Sequence, residues 1–456
     1  MSDTICALST AVGGAIGVIR VSGDKSLSIV AHLLRSKKTG KEPDIKGRKL
    51  IRFYGDFYSP QGMLIDDVVA NFFYAPHSYT GEDSVEISCH GSSYILHQAI
   101  VALIDAGCRQ AEPGEYTKRA YLNGKMDLSQ AEAVADLIAA TNKMTHQVAL
   151  GQLRGHITSE LSKMRDQLLK LNSLLQLELD FSDHEELEFA DRSELLSLSQ
   201  ALSDRINHLA SSFETGKAIK NGVAVAIVGK TNVGKSTLLN RLLKEDRAIV
   251  SDIHGTTRDV IEDTTTINGI LFRFIDTAGL RKTSDEIERL GIERTYKKLS
   301  EASIVLWILD STPSEEECQK MIEKTEKKKL IRVFNKIDLH QQASASPTQG
   351  SFSDVYVSAK YGTNIESLEQ MLCKAAGIPE ITENDVIIIS ARHYEALRRA
   401  SASITRVIDG LTSGLSSDLI SEDLHICLEQ LGEITGGEIT PQETLNNIFS
   451  HFCVGK

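Results

Sequence analysis

One eight-residue stretch constrains the fold more than any other part of the chain. Residues 229–236 read Gly-Lys-Thr-Asn-Val-Gly-Lys-Ser, which matches the pattern G-x-x-x-x-G-K-[ST]. An apolar run at 223–228 precedes this stretch, and a helical pattern at 237–243 follows it. Strand, glycine-rich loop and helix in this order predict a phosphate-binding loop, in which Lys235 reaches the terminal phosphate oxygens and Ser236 binds Mg²⁺.

Three more motifs follow in the order expected of such a domain. The run Asp-Thr-Ala-Gly at 276–279 ends the next apolar segment and offers the carboxylate of Asp276 to the Mg²⁺ shell. The run Asn-Lys-Ile-Asp at 335–338 follows another apolar segment. The carboxylate of Asp338 would accept hydrogen bonds from guanine, whereas adenine would leave its charge unpaired. The base pocket would be completed by Ser358, Ala359 and Lys360. The set predicts a GTP-binding domain.

A further segment, Gly-Thr-Thr-Arg-Asp at 255–259, lies where a switch I loop would close over the γ-phosphate. Within it, Thr257 is the candidate to complete the Mg²⁺ shell. The predicted nucleotide site therefore consists of Asn232, Val233, Gly234, Lys235, Ser236, Thr237, Ser251, Asp252, Ile253, His254, Gly255, Thr256, Thr257, Asp276, Thr277, Ala278, Gly279, Asn335, Lys336, Asp338, Ser358, Ala359 and Lys360.

Two functional groups of a typical GTPase are missing from these motifs. Leu280 stands where Ras-like enzymes carry the glutamine that positions water, so another residue must hold the attacking water. The candidates are the downstream acids Asp285, Glu286 and Glu288. A cation must also offset the charge that develops on the leaving oxygen, and either an arginine or a bound monovalent ion could supply it. The amide oxygen of Asn232 is a reasonable ligand for such an ion.

The remaining chain divides into segments of different periodicity. Residues 1–119 read as an α+β domain, with strands at 17–21, 67–74 and 84–88, a helix at 94–106 and a solvated loop at 36–49. Asp127 and Gln130 form a capping box, and apolar spacing from Leu150 to Leu175 predicts one long helix. Residues 120–220 and 379–456 are predicted to form two halves of a helical domain, and residues 221–378 an inserted Ras-like P-loop GTPase domain with a mostly parallel sheet.

Composition limits the possible partners and compartment. The chain carries 50 Lys and Arg against 62 Asp and Glu, a net charge of −12, so it is not expected to coat nucleic acid by phosphate neutralisation alone. Its seven cysteines are scattered without C-x-x-C spacing, which favours a reducing compartment over a zinc or disulfide framework. Neither a spanning helix nor a basic leader is visible. The sequence predicts a cytoplasmic protein without membrane contact.

The order and wording of these motifs resemble the tRNA-modification GTPase family known as MnmE or TrmE. The resemblance covers the whole chain. It rests on residues 19–23, 79–83, 113–117, 125–133, 255–259 and 276–291, and on the ending Phe452-Cys453-Val454-Gly455-Lys456.

The resemblance implies a homodimer, formed through a 1–119 domain that also binds tetrahydrofolate. It implies a flavin-dependent partner that carries FAD and joins this chain in a heterotetramer, with tRNA as substrate. Together they would add an aminomethyl-type (carboxymethylaminomethyl) group to C5 of the wobble uridine of certain tRNAs. The one-carbon unit would come from a tetrahydrofolate derivative in its 5-formyl or methylene form.

The resemblance also implies roles for individual residues. Folate would be held by Arg20, Glu86, Lys125 and Lys456, and potassium by Asn232, Ser251, Ile253 and Thr256. Glu288 would orient the attacking water. Cys453 is either a catalytic thiol or a buried structural residue. Thr231 replaces the usual proline of the family, and the early loop is shortened to Ala-Val-Gly-Gly at 11–14, which changes the edge of the folate pocket.

Two other classes of protein share the GTPase motifs. A GTP-dependent ribosome-assembly factor should carry a basic RNA-binding appendage such as a KH domain, but residues 381–456 hold five Lys or Arg against eleven Asp or Glu. A nucleotide-driven scaffold of the dynamin type should carry a membrane-active amphipathic or basic segment, and none is visible in the sequence. Analysis of wobble uridines would separate these alternatives from a modification enzyme.

Overall fold

A computed structural model of the chain describes residues 3–49, 51–180, 192–243, 263–275, 301–325, 328–339, 353–382, 385–436, 442–450 and 452–455. The chain forms two compact units. The first unit contains Met1–Ile138, Gln152–Ser199 and Ala402–Lys456, and the second contains Ala139–Gly151 and Gln200–Ser401. The predicted domain limits, at 119/120, 220/221 and 378/379, stay a prediction.

A 7-stranded sheet forms the N-terminal part of the first unit. Its strands are β1 (Ile5–Leu8), β2 (Ile16–Ser22), β3 (Leu34–Arg35), β4 (Arg52–Tyr58), β5 (Leu64–Phe73), β6 (Ser84–His90) and β7 (Arg109–Gln110), in the order β3-β4-β5-β6-β2-β1-β7. All neighbouring pairs are antiparallel except β1 and β7. Residues alternate between buried and accessible along β5, as expected of a sheet with one face on the core.

Helices cover the buried face of this sheet. They are α1 (Ser26–Leu33) and α2 (Ser93–Asp105). Helix α3 (Glu115–Leu122) packs through Tyr116 against Ile5 and Ala7, which lie on the opposite face of β1 from Cys6, and a short 3₁₀ turn lies at Lys46–Arg48. Side chains such as Val30, Leu33, Leu96 and Leu103 join those of β2, β5 and β6 in one apolar core. The strands predicted at 17–21, 67–74 and 84–88 and the helix at 94–106 are confirmed to within a few residues.

The rest of the first unit is helical. The chain forms α4 (Leu128–Ala139), α5 (Lys143–Leu153), α6 (His156–Asp180) and α7 (Arg192–Asn221). Of these, α5 belongs to the second unit up to Gly151, and α7 belongs to it from Gln200 onward. The predicted capping box at the start of α4 is confirmed, because the Asp127 N–H donates to Gln130 Oε1 and the Gln130 N–H to Asp127 Oδ1, both at 2.9 Å.

The prediction of one continuous helix from Leu150 to Leu175 is wrong. Helix α5 ends at Leu153 and α6 begins at His156, because Gly155 adopts φ +84°, a left-handed conformation that ends a helix. The apolar spacing continues across the break, so periodicity alone did not reveal it. Beyond the break, Ile157, Leu161 and Met164 begin the buried stripe of α6.

A 6-stranded sheet forms the second unit's core. Its strands are β8 (Val223–Val228), β9 (Asp263–Ile267), β10 (Ile270–Phe274), β11 (Ile304–Leu309), β12 (Lys329–Phe334) and β13 (Ser353–Tyr356), in the order β13-β12-β11-β8-β10-β9. Every neighbouring pair is parallel except β9 with β10. The apolar runs at 223–228, 271–275, 303–309, 330–334 and 354–357 predict five of these strands, and all five are confirmed to within a residue, whereas β9 was not predicted.

Helices α8 (Lys235–Leu242), α9 (Glu315–Lys324) and α10 (Ile365–Ala376) belong to the same domain, and a 3₁₀ turn lies at Ile337–Leu339. Leu238 and Leu242 of α8 and Leu368 and Leu372 of α10 pack in one core with the strands. The chain ends in α11 (Ala391–Ser413), α12 (Ser417–Thr435) and α13 (Gln442–Ser450). The predicted combination of an α+β N-terminal domain, helices and an α/β domain with a mostly parallel sheet is confirmed.

Ser421 of α12 donates to Asn172 of α6 at 2.6 Å, and Ser417 donates to Glu178 at 2.8 Å. Helices α6 and α12, which belong to distant parts of the chain, therefore pack together within the first unit. Among the helices of the described ranges, none is both long and apolar enough to cross a membrane.

Candidate functional site

The phosphate-binding loop connects β8 to α8, as predicted. Gly229 and Gly234 both have positive φ, at +154° and +95°. A Cβ on Gly229 would lie 2.4 Å from the carbonyl oxygen of Ile308, and one on Gly234 would lie 2.2 Å from Asn335 Nδ2. Asn232 also has a positive φ, of +62°. The loop therefore requires glycine at two positions for conformation and for space.

Lys235 opens α8 and turns back over the loop. Its Nζ donates to the carbonyl oxygens of Gly229 at 2.7 Å and Lys230 at 2.6 Å. Burial lowers the pKa of the Lys235 ammonium below its usual value. A lysine beside the backbone N–H groups at the start of a helix is the arrangement that a nucleotide phosphate needs, so these residues fit the predicted ligand.

Asn335, at the end of β12, connects this loop to the predicted base pocket. Its Nδ2 donates to the carbonyl oxygen of Val233 at 2.8 Å, and its Oδ1 accepts from the N–H of Ala359 at 3.0 Å. Asn335 is buried, so both ends of its amide are used in holding two loops in place. Direct contact of its side chain with nucleotide stays a prediction.

The carboxylate of Asp338 is held through one of its two oxygens. The Ser358 hydroxyl donates to Asp338 Oδ1 at 2.5 Å, which sets the orientation of the carboxylate and leaves Oδ2 for a ligand.

The two lysines of these motifs lie near other side chains of the same domain. Lys336 has φ +65°, and its Nζ lies 3.5 Å from Asp310 Oδ2. Lys360 Nζ lies 5.1 Å from the ring centroid of Tyr361. The structure thus brings three of the predicted motifs, the phosphate loop, 335–338 and 358–360, to one edge of the sheet.

Several predicted site residues lie outside the described residues: Ser251, Asp252, Ile253, His254, Gly255, Thr256, Thr257, Asp276, Thr277, Ala278, Gly279, Glu288 and Lys456. The described residues contain no group of three or more His, Cys, Asp or Glu side chains arranged to hold a metal. The metal sites at Ser236 with Thr257, and at Asn232 with Ser251, Ile253 and Thr256, stay predictions.

A second candidate site lies on the N-terminal sheet. Arg20 and Glu86 are direct cross-strand partners on β2 and β6. Arg20 donates to Glu86 Oε1 through Nη2 at 2.8 Å and through Nε at 3.1 Å, and the two side chains are 20% and 29% exposed. The guanidinium carbon lies 5.0 Å from the ring centroid of Tyr79 and 5.6 Å from that of Tyr116. Arg20 is therefore held in place but remains accessible.

The two tyrosines are themselves held by hydrogen bonds. The Tyr116 hydroxyl donates to the carbonyl oxygen of Arg20 at 2.7 Å, and the Tyr79 hydroxyl lies 2.9 Å from Thr117 Oγ1. Burial raises the pKa of both phenols. Two segments that carry the family resemblance, 79–83 and 113–117, thus meet around Arg20.

A buried ion-pair network supports this arrangement, and the sequence analysis did not identify it. Arg119 Nη1 lies 3.1 Å from Glu82 Oε2, and its Nη2 lies 2.9 Å from Glu115 Oε1 and 2.8 Å from Asp3 Oδ1. Arg109 also pairs with Glu115, at 2.7 Å. Burial acts to raise the pKa of Glu115, but the two arginines and a backbone N–H hold it below its usual value. The i, i+4 spacing of Glu115 and Arg119 on α3 was a local signal for one pair, whereas Asp3 and Glu82 lie far from Arg119 in the chain, so no local pattern indicates those contacts.

The other predicted folate residue that the structure describes, Lys125, lies in the same unit. Lys125 Nζ donates to the carbonyl oxygen of Pro76 at 3.0 Å. At the end of the chain, Ser9 Oγ donates to the carbonyl oxygen of Gly455 at 3.1 Å, and Val454 pairs with Pro113 as a β-bridge. The last described residues therefore lie against the end of β1, whose Ala7 pairs with Arg20 on β2.

The two interpretations of Cys453 differ in the burial that they require. Its thiol is exposed, while the backbone beside it is held by a hydrogen bond from the Gly114 N–H to the Cys453 carbonyl oxygen at 3.4 Å. The interpretation as a buried structural cysteine is therefore wrong. A chemical role for the thiol stays a prediction.

Comparisons with known proteins agree with this organisation. The family described as "GTP-binding protein TrmE N-terminus" matches residues 4–125, and "MnmE helical domain" matches residues 128–453. A "tRNA modification GTPase MnmE" from Bacteroides fragilis is 52% identical, covering 100% of this chain and 99% of the relative. Its counterpart from Parabacteroides distasonis is 53% identical and is covered in full.

Among solved structures, the G domain of the T. maritima FeoB iron transporter is 26% identical. The match covers 34% of this chain and 98% of that domain. Its TM-score is 0.26, which supports no argument about fold. The full-length similarity and the two family matches are sufficient without it. The chain belongs to the MnmE family of tRNA modification GTPases.

Proposed function

We propose that this GTPase, together with a flavin-dependent partner that carries FAD, adds a carboxymethylaminomethyl-type group to C5 of the wobble uridine of certain tRNAs. The one-carbon unit comes from a tetrahydrofolate derivative, in the 5-formyl or methylene form, bound on the N-terminal sheet. The chain acts as a homodimer within a heterotetramer. The observation that carries the proposal is the accessible pair of Arg20 and Glu86, held between two aromatic rings.

The chemistry of this pair fits a folate. Glu86 uses Oε1 for Arg20, so Oε2 is available to accept from the N–H donors of a pterin ring. Cationic side chains near the ring can form ion pairs with the carboxylates of the folate's glutamate tail. Lys125 is such a cation in the same unit. Tetrahydrofolate would supply the one-carbon group, while this chain's residues bind and orient it.

The nucleotide site has separate tasks. Lys235 and the loop N–H groups bind the phosphates, Ser236 lies where a Mg²⁺ ligand is needed, and Asp338 selects guanine. Bound Mg²⁺ and K⁺ would supply positive charge beside the phosphates. Asn232 is the ligand that we propose for K⁺, and Glu288 is the acid that we propose orients the attacking water. Hydrolysis should therefore be faster in K⁺ than in Na⁺ at equal ionic strength.

Mass spectrometry of wobble uridines tests the function. In a strain lacking this gene, we expect loss of the C5 modification and recovery with the wild-type gene. We expect Arg20→Ala and Glu86→Gln not to restore it, and Lys163→Ala, an exposed helical residue of the same unit, to restore it. Unaltered wobble uridines in the deletion strain would overturn the proposal.

Hydrolysis is tested separately in single-turnover experiments on Glu288→Ala, with Asp285→Ala and Glu286→Ala as matched controls. Loss of a water-positioning acid should slow Glu288→Ala by about 10²–10⁴-fold, whereas the controls should change little. A rate for Glu288→Ala close to wild type would assign the role to another residue.

A further inference from the structure

A strongly basic segment runs along one end of the N-terminal sheet, in a protein that is acidic as a whole. Residues 35–52 contain eight Lys or Arg and only two Asp or Glu, whereas the net charge of the chain is −12. We call these residues the basic segment. Neither the phosphate-binding loop nor the Arg20 site uses them.

Part of this charge is neutralised within the fold. Glu42 lies 3.1 Å from His32 and 3.2 Å from Arg35, and Lys37 forms ion pairs with Asp67 and Asp56. Within the described ranges, no side-chain hydrogen bond or ion pair is made by Lys38, Lys41, Lys46 or Lys49, and all four are exposed. The surface therefore retains an uncompensated positive charge.

The backbone that carries these lysines is anchored. The Ser36 N–H donates to the carbonyl oxygen of Lys41 at 2.9 Å, and the Gly40 N–H donates to that of Ser36 at 2.7 Å, which closes a turn next to β3. Pro43 is buried, and Ile45 packs against the core of the sheet. The lysines thus project from an ordered loop, which lowers the entropy cost of binding.

We infer that the basic segment binds the phosphate backbone of RNA, and, given the proposed function, of the tRNA substrate. Lysine acts as a point charge toward phosphate, and several lysines on one short segment match a backbone with closely spaced charges. An acidic protein is a poorer match, because lysine is depleted at the cores of protein interfaces. Arg52 and Tyr54 lie two residues apart on β4, and both are exposed, so an aromatic ring is available beside the cations for an unpaired base.

The salt dependence of tRNA binding tests this inference in the full-length protein. The test variant carries Lys38→Ala, Lys41→Ala, Lys46→Ala and Lys49→Ala. The matched control removes four exposed lysines elsewhere, by Lys163→Ala, Lys170→Ala, Lys320→Ala and Lys374→Ala, so both variants lose the same charge. Binding of an unmodified tRNA transcript is measured by fluorescence anisotropy between about 50 and 200 mM KCl.

We expect the test variant to reduce the slope of log affinity against log salt by about 3–4 and to weaken binding about 10–100-fold at the lower salt. The control should behave like wild type, and GTP hydrolysis without tRNA should be unchanged in both. A variant that carries Lys38→Arg, Lys41→Arg, Lys46→Arg and Lys49→Arg should bind tRNA like wild type, since it keeps the charge.

Three results would overturn the inference: equal slopes for test variant and wild type, an equal loss in the control, or no tRNA binding by wild type. A second outcome concerns vesicles of anionic phospholipid. If wild type and control bind these vesicles and the test variant does not, while the test variant still binds tRNA, the segment binds a lipid surface instead. None of these results alters the wobble-uridine measurement, so failure of this surface and failure of the proposed function are distinguishable.

Discussion

At the scale of single residues, one asparagine and one aspartate of the same motif have different tasks. Asn335 is buried and holds two loops together through both ends of its amide. Asp338 is tied by only one oxygen, to Ser358. The motif therefore combines a residue that maintains the pocket with a residue whose other carboxylate oxygen we propose selects the base.

Asp338→Asn should change the nucleotide that the protein prefers. The asparagine amide offers a hydrogen-bond donor where the carboxylate offered only acceptors. Guanine therefore loses an acceptor for its N–H groups, whereas xanthine, which carries an oxygen in place of guanine's amino group, gains a donor. We expect weaker GTP binding and tighter binding of xanthosine triphosphate in a competition assay. Ser358→Ala, which removes only the orienting hydroxyl, should keep the preference for GTP. A wide preference for GTP in Asp338→Asn would contradict this assignment.

Tyr79 should contribute to folate binding through its ring rather than its hydroxyl. The ring lies 5.0 Å from the Arg20 guanidinium, and such a contact is worth about 0.5–1 kcal/mol, or roughly 2–5-fold in affinity. We expect Tyr79→Leu to weaken binding of 5-formyltetrahydrofolate by that factor in calorimetric titration, and Tyr79→Phe to weaken it less. Equal losses in both variants would attribute the effect to the hydroxyl and its contact with Thr117.

At the scale of elements, the loop between β8 and α8 depends on space as well as on backbone conformation. Gly234→Ala would place a Cβ 2.2 Å from Asn335 Nδ2, at φ +95°. Gly269, in the turn between β9 and β10, has φ +82°, but no atom lies within 4 Å of the position that a Cβ would take there. An alanine at Gly269 would meet only backbone strain, whereas an alanine at Gly234 would meet backbone strain and a steric clash. The two substitutions therefore distinguish the two effects.

We expect Gly234→Ala to weaken GTP binding about 10–100-fold, because Asn335 must move and leave buried polar groups unpaired. Gly269→Ala should lose about 1 kcal/mol of stability through its backbone and bind GTP normally. Thermal unfolding and nucleotide titration of both variants are the measurements. Normal binding by Gly234→Ala would show that the loop can accommodate the methyl group.

The same elements show how far the sequence allowed the fold to be predicted. Each parallel strand of the second unit was identified from its apolar run, because a strand buried on both faces has a strong local pattern. Strand β9 was missed because Asp263–Ile267 is mostly Thr. Its hairpin did carry a signal: Asn268-Gly269 lies between Ile267 and Ile270, with φ +51° and +82°.

The candidate sites were predictable to different degrees. The phosphate loop could be read from local spacing, since its residues are contiguous. Arg20 and Glu86 were identified only through the family resemblance, because a cross-strand pair 66 residues apart leaves no local pattern. The contacts of Arg119 with Asp3 and Glu82 were missed for the same reason, and so was the ring contact between Arg20 and Tyr116, whereas the i, i+4 pair of Glu115 and Arg119 did carry a local signal.

At the scale of the whole molecule, the last residues return to the first strand. A Cβ on Gly455 would lie 2.1 Å from the carbonyl oxygen of Leu8, so the tail approaches β1 closely. Leu8 pairs with Ile19, the neighbour of Arg20, on β2. We therefore expect removal of the tail to affect the proposed folate site and to leave nucleotide binding unaffected.

Deletion of Gly455 and Lys456 should weaken binding of 5-formyltetrahydrofolate and leave GTP hydrolysis close to wild type. Lys456→Ala serves as the matched variant, because it keeps the contact of Gly455 with Ser9 and removes only the charge. We expect the deletion to lose more affinity than Lys456→Ala in calorimetric titration. Full affinity after the deletion would show that the tail is not part of the site.

The meeting of Ser9 with Gly455 also has a consequence during synthesis. The two residues are 446 positions apart, so at about 5–20 residues per second roughly 20–90 s separate their translation. The N-terminal sheet can leave the ribosome long before the residues that cover the end of β1 exist. A nascent chain, or one terminated before Gly455, therefore lacks this contact, and only a chain translated through Gly455 can form it.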